Sequence, residues 1–287
     1  MKRTNFSKLI TLTGLILTII SCDYIDDPLT NGTTPPPPDD TTVIRKALIE
    51  DFTGHRCNNC PKASEAIKAI QNNLPGRSVA VAIHAGPSNF TAPDTPSYPT
   101  DFRTPEGESL RSFFRIDQFG LPIGMVSRQG FASQGIGHLK LFGAWAGIVA
   151  QINEVEPLFR LKLEGNYNSN NRLVDLTVTT DVLLSTSAPI SLNVWLCESG
   201  IVAPQKMPDN SLNVNYVHNN VFRTSLNGAA GEPITANGGN AGDSFVKNYT
   251  LNVSSNWQAN NIKLVAFVFN TQTQEVLQAE EIDLNSL

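Results

Sequence analysis

The sequence predicts an α/β layer followed by an all-β segment, and three observations predict it. Strand-like and helix-like runs alternate between residues 43 and 157, and the helical period vanishes from Leu158 onward. Hydrophobic residues make up 40% and charged residues 16% of the 287-residue chain, enough apolar material to pack about two domains. The formal net charge is −5 and no basic stripe emerges, which argues against nucleic acid as a partner.

In the first segment, Ala47-Leu48-Ile49-Glu50-Asp51-Phe52 reads as a buried strand. Residues 62–73 place Ala63, Ala66, Ile67 and Ile70 at helical spacing, and Leu74-Pro75-Gly76 stops the run. Residues 78–84 return to strand, 107–114 to helix, 125–128 to strand, and 141–156 to a closing helix. Between the second strand and the next helix lies an insertion over 87–105, rich in Pro, Thr, Ser and Asp. Loops of that length are often functional. It either covers a site, or presents Phe90, Tyr98 and Phe102 to a partner, or is a plain surface excursion.

In the second segment, strand-like runs fall at 160–164, 173–181, 190–197, 217–223, 245–253, 262–269 and 275–282. Turn-rich stretches such as Asn168-Ser169-Asn170-Asn171 and Asn237-Gly238-Gly239-Asn240 separate them. Val174, Leu176 and Val178 alternate with Asp175, Thr177 and Thr179, the pattern of a strand with one wet face. Residues 264–269 are apolar on both faces, which predicts a central strand. About seven short strands of this kind predict a β-sandwich of immunoglobulin-like build.

The chain begins with Lys2, Arg3 and Lys8, then an apolar run over 9–20 that is short of the roughly 20 residues a spanning helix needs. It ends in Ile19-Ile20-Ser21-Cys22, which resembles the lipobox of bacterial lipoproteins. That resemblance implies removal of residues 1–21 and acylation of Cys22, a membrane anchor through the N-terminal lipid. Residues 22–42 carry Asp23, Asp26, Asp27, Asp39 and Asp40 around the proline run 35–38, an extended and well-solvated tether. Acidic residues directly behind the cysteine also resemble surface-export signals of Bacteroidetes lipoproteins.

With Cys22 assigned to lipid, Cys57, Cys60 and Cys197 remain. Cys57-Asn58-Asn59-Cys60-Pro61 sits after a strand and at the start of a helix. There, unpaired N–H groups and the helix dipole favour thiolate at Cys57 when the pair is reduced, and Pro61 fits the first turn. Arg56 either lowers the Cys57 pKa further or is a solvated charge. Three readings stand open: a redox-active dithiol, a static disulfide formed in an oxidising compartment, or zinc with His55 or His84 as added ligands. No second Cys pair or paired-histidine motif completes a tetrahedral site, so no metal is predicted. His84 reads as a structural histidine more readily than a site residue, and His138 and His218 show no partner in sequence. Cys197, beside Trp195 and on the face opposite Leu192, Val194 and Leu196, reads as an apolar filler or a thiol for an intermolecular bond.

Two resemblances extend this picture. Asp51-Phe52 lies six residues before Cys57, and Phe119-Gly120-Leu121-Pro122 resembles the Gly-x-Pro segment of thioredoxin-like proteins. The resemblance implies a thioredoxin-like domain over 43–157, ahead of the β-sandwich over 158–287. It makes Cys57 the attacking thiol, Cys60 the resolving thiol, Asp51 a proton acceptor and Pro122 a substrate-docking element. The sequence departs from that pattern in Arg56, where a tryptophan is usual, and in Asn58-Asn59 in place of Gly-Pro. Longer motifs resemble the twenty-eight-kilodalton outer membrane protein family of Bacteroidetes. They include residues 50–61, Asp101-Phe102-Arg103-Thr104-Pro105-Glu106-Gly107-Glu108, Gly124-Met125-Val126-Ser127-Arg128, residues 200–205, Tyr216-Val217-His218-Asn219-Asn220-Val221-Phe222-Arg223 and Gly231-Glu232-Pro233-Ile234. That resemblance implies an outer-membrane or surface lipoprotein without a settled activity.

No nucleotide loop, hydrolase elbow or paired-carboxylate pattern stands out, and no cofactor is predicted. An envelope binding, adhesion or scaffold role with a protein or glycan partner is slightly favoured over a thiol–disulfide oxidoreductase. A dedicated reductase needs an electron source that an outer-surface protein rarely has.

Overall fold

The computed structural model describes residues 43–131 and 135–287. The leader, Cys22 and the tether over 22–42 lie outside the described residues. Among the described residues the architecture is mixed α/β, dominated by sheet, with few and short helices.

The first strand, β1 (Ala47–Phe52), is buried along its whole length. It pairs in parallel with β2 (Ser78–Ile83) and antiparallel with β3 (Ile123–Val126). Between β1 and β2 runs helix α1 (Cys60–Asn73), with Pro61 in its first turn and Ala63, Ile67 and Ile70 buried at 3–4 spacing. That stripe packs with Ala47 and Ile49 of β1 and with Trp145, Val149 and Ile152 of α4 (Trp145–Asn153). Gly124 is required where Trp145 crosses β3, because a Cβ there would lie 2.5 Å from the indole. The alternate residues of β1, Leu48 and Phe52, enter a second cluster on the other face. The insertion carries one short helix, α2 (Ser88–Thr91). Helix α3 (Pro105–Phe113) has a well-formed start: Thr104 accepts a hydrogen bond from Gly107 N at 3.0 Å, and Glu106 and Glu108 occupy the first turn.

Ten strands follow: β4 (Phe159–Asn168), β5 (Leu173–Val182), β6 (Ile190–Glu198), β7 (Ile201–Lys206), β8 (Leu212–His218), β9 (Val221–Ser225), β10 (Glu232–Thr235), β11 (Ser244–Asn252), β12 (Ile262–Asn270) and β13 (Val276–Asp283). The main sheet has the order β13-β12-β6-β9-β2-β1-β3, with β10 added on β6. Its continuity across the two segments rests on a parallel bridge, Ala82 to Val221, between β2 and β9. A three-stranded sheet, β11-β5-β4, shares an apolar core with β6 and β12. As the two-faced apolar pattern predicts, β12 is an interior strand, flanked by β6 and β13. The expected strand over 217–223 is in fact two. Asn220 adopts φ 57°, a left-handed conformation that asparagine tolerates, and the chain turns there from β8 into β9. The short strands β7 and β10 were not expected. β7 and β8 form a separate two-stranded hairpin.

Candidate functional site

β1 delivers the chain to Thr53 and Gly54, from which the cysteine loop departs. A Cβ at Gly54 would lie 2.4 Å from Phe90 O, so only glycine lets the insertion close on this loop. Cys57 N donates to Gly54 O at 3.1 Å, and Cys60 opens α1. Cys57 and Cys60 form a disulfide with Cα atoms 5.4 Å apart. The two residues are only 1% and 2% exposed. That burial decides what the pair can do.

Two elements cover it. Gln205, on the inner face of the β7–β8 hairpin, is 3% exposed. Its Nε2 donates to Cys57 O at 2.9 Å, to Lys206 O at 3.0 Å and more weakly to Gly54 O at 3.4 Å. Lys206 N donates to His55 O at 2.8 Å, and Asn58 Nδ2 to Asn210 Oδ1 at 3.4 Å. From the other side comes the insertion. Arg56 N donates to Phe90 O at 3.0 Å, and its guanidinium pairs with Asp94 at 3.1 Å and lies over Tyr98. Arg56 is thus engaged in fastening the insertion. Of the three possibilities for residues 87–105, covering the site is the one observed.

Behind the disulfide, Asp51 is fully buried and neither carboxylate oxygen has a hydrogen-bond partner among the described residues. Burial pushes its pKa up to about 8. Asp51 lines a cavity with Ser64 and Tyr216, and Cys60 lines a smaller one with the same two residues and His218. Pro122 is buried after a cis peptide, between Leu121 and Ile123, which share an apolar cluster with both cysteines.

His55 and His84, the two histidines considered beside the cysteine pair, lie near each other, and His218, which shows no partner in sequence, joins them. Ring centroids are 6.5 Å apart for His55–His84 and 5.8 Å for His84–His218, with Phe102 wedged against all three. Burial lowers His55 and His218 to about 4 and His84 well below its ordinary value, so all three imidazoles are neutral at pH 7. Among the described residues, no group of three His, Cys, Asp or Glu side chains is arranged to hold a metal ion. His138 sits elsewhere, its Nε2 3.0 Å from Phe114 O. Cys197 is a free, buried thiol whose pKa burial pushes up to about 12, which fits the apolar-filler role. Gln205 is the contact residue that sequence reasoning passed over. Its only signal was a place in the motif over 200–205, where Pro204 obscures the strand alternation.

The family model described as outer membrane protein Omp28 matches residues 115–286, more than half of the chain. The chain belongs to the Omp28 family. Membership places it among outer-membrane proteins with an envelope-associated role. The matched stretch begins after both cysteines, so membership carries no information about their chemistry. No curated protein matches the sequence. Among solved structures, HBP35 of Porphyromonas gingivalis is similar at 15% identity and TM-score 0.59, over 85% of this chain and 76% of that one. At that identity the likeness concerns the fold alone. A domain of the outer membrane lipoprotein Omp28 from Porphyromonas gingivalis aligns at 21% identity and TM-score 0.31, over 45% of this chain and 90% of that one. A protein from Agrobacterium tumefaciens aligns at 10% identity and TM-score 0.49, over 86% and 97%.

Proposed function

We propose that this Omp28-family chain is a binding or scaffold module of the envelope, held through lipid on Cys22, in which Cys57–Cys60 is a structural staple. The observation that carries the reading is the 1% and 2% exposure of the two cysteines beneath a hydrogen-bonded hairpin and a salt-bridged insertion. Thiol–disulfide exchange needs an attacking thiolate to reach a disulfide sulfur, and the hairpin and the insertion leave the pair almost no exposed surface, with a small cavity beside Cys60.

The partner face is the outer side of the same hairpin. Val202 and Val217 are cross-strand neighbours, 61% and 47% exposed, and Val214 and Leu212 are also exposed. A cluster of exposed aliphatic side chains on an edge hairpin marks a protein-binding surface better than a glycan-binding one. The test is crosslinking and pull-down from the native envelope, comparing the wild type with a Val202→Glu, Val217→Glu double variant and with Cys57→Ser. Loss of partners in the double variant alone supports the reading. Loss in Cys57→Ser with retention in the double variant overturns it.

The domain division at residues 157 and 158 belongs to this proposal. A thioredoxin-like arrangement over 43–157 is supported by the parallel β1–α1–β2 unit with β3 antiparallel to β1. An immunoglobulin-like sandwich over 158–287 is supported by the two sheets that share one core. The second functional reading is a thiol–disulfide oxidoreductase, with Cys57 attacking, Cys60 resolving, Asp51 taking the proton and Pro122 docking substrate. Asp51 favours it, because a buried carboxyl titrating near 8 exchanges protons at neutral pH. Insulin-disulfide reduction decides: a rate above the Cys57→Ser background establishes the enzyme, and equal rates exclude it.

A further inference from the structure

A third cavity, of about 410 Å³, shares no residue with the two at the cysteine site. Its size falls within the roughly 300–1,000 Å³ of small-molecule sites. Leu110 and Phe114 form apolar wall, 3% and 0% exposed, and Phe269 of β12 adds another ring. Phe113, also lining the cavity, is 53% exposed. It is nonetheless held in place, stacked on Phe131 at 5.6 Å with ring planes 18° apart and edge-on to Phe114 at 4.9 Å. An ordered aromatic ring left open to water beside a cavity is a feature that ligand burial would offset.

The polar element of this cavity is Arg128, 2% exposed. Ser127 and Arg128 both have left-handed backbone, at φ 47° and 54°, a conformation that costs energy for residues with a Cβ. Strain of this kind persists where surrounding structure enforces it and clusters at ligand sites. The guanidinium is packed against Phe114, Phe267 and Phe269 at 4.7, 5.0 and 5.3 Å from their centroids. Its Nε and Nη2 donate to the two carboxylate oxygens of Glu50, each at 2.8 Å. Nη1 makes no hydrogen bond to any described residue. Because Arg128 lines the cavity, the guanidinium N–H groups that Glu50 leaves unused, those of Nη1 among them, are the donors it can offer there.

This arrangement sets the ligand's charge. Glu50 is fully buried and already balances Arg128, so a second carboxylate would enter a site with no uncompensated positive charge. A neutral carbonyl oxygen brings no such repulsion and satisfies the spare donor. We propose that this cavity binds an uncharged carboxylic ester or amide with an aromatic or short acyl body. The carbonyl oxygen accepts from Arg128 Nη1, and the apolar body lies against Leu110, Phe113, Phe114 and Phe269. Nothing in this assignment depends on the redox state of Cys57–Cys60 or on the hairpin face.

The test is equilibrium dialysis of the full chain in phospholipid nanodiscs, with empty nanodiscs as the blank and methyl cinnamate as the probe. Methyl cinnamate binds saturably at one site. Cinnamate, which adds a charge, and β-methylstyrene, which lacks the carbonyl, each bind at least about tenfold more weakly, the scale of one hydrogen bond from a charged donor. Ala230→Trp fills the cavity at an exposed lining position, and Phe113→Ala removes the exposed ring. Both change surface residues, and an unchanged thermal midpoint verifies that each variant is folded. Each weakens methyl cinnamate by about tenfold or more. Absence of saturable binding, equal binding of the acid or the hydrocarbon, or wild-type affinity in both folded variants overturns the assignment.

Discussion

Gln205→Ala removes one of the fastenings that hold the hairpin over the cysteine loop, and its effect can be worked out in advance. The Nε2 amide has two hydrogens, and its shortest contacts are Cys57 O at 2.9 Å and Lys206 O at 3.0 Å. The bond to Lys206 O lies within β7 and survives opening, so what counts is the bond to Cys57 O, about 1 kcal/mol, and the buried carbonyl left unsatisfied, which brings the total to about 2–3 kcal/mol. At about 1.4 kcal/mol per factor of ten, the open hairpin becomes roughly 30- to 140-fold more populated. If opening the hairpin is what admits a reductant, Cys57–Cys60 is reduced by a fixed concentration of dithiothreitol faster by the same factor. A remote destabilised variant separates local from global opening. Leu163→Ala, in the core under the three-stranded sheet, lowers global stability by about 2–5 kcal/mol without touching the hairpin. The expected result is acceleration in Gln205→Ala and none in Leu163→Ala. Equal acceleration in both makes global unfolding the route, and an unchanged rate in Gln205→Ala shows that the hairpin is no barrier.

Three further outcomes follow from the burial of charged and titratable groups. Glu50→Gln strips the buried Arg128 of its counter-ion and costs about 3–5 kcal/mol, read as a shift in the urea midpoint; a loss below about 1 kcal/mol would contradict the burial of the pair. Stability passes through a maximum between about pH 6 and 7. His55 and His218 have folded pKa values depressed from 6.5 to about 4, so stability falls as pH drops below 6.5. Asp51 has a folded value raised from 3.8 to about 8, so its contribution is complete at low pH and is lost as pH rises toward 8. Asp51→Asn flattens the alkaline arm and steepens the acid one, because the Asp51 loss runs from about pH 3.8 to 8, and an unchanged alkaline arm would refute the assignment. Cys197, with its thiol pushed up to about 12, stays unreactive toward a thiol reagent at pH 8 until the chain is unfolded, and labelling of the native protein would place it at the surface.

Residues with strong local periodicity were legible in the sequence. Ala63, Ile67 and Ile70 announced α1, and the alternation from Leu173 to Thr179 announced β5. Residues 264–269 announced an interior strand because apolarity on both faces admits no other place in a sheet. The cysteine loop was legible too, since a CxxC between strand and helix constrains its own geometry. What stayed hidden depends on contacts distant in sequence. Gln205 meets Cys57 across 148 positions and Arg128 meets Glu50 across 78, and neither polar residue shows its partner in a local pattern. The hairpin escaped notice because its outer face carries Val202 and Val217 where a solvated strand would carry polar side chains. Pro204 and a register shift between Ala203 and Gln205 break the period that remains.

The central claim is that the fold encloses the Cys57–Cys60 disulfide as a staple, and the reduction potential of that pair in the native protein tests it most directly. Enclosure predicts a value below about −300 mV, in the range of structural disulfides. A value near that of working exchangers, about −270 mV or higher, would contradict it and return the pair to the oxidoreductase reading.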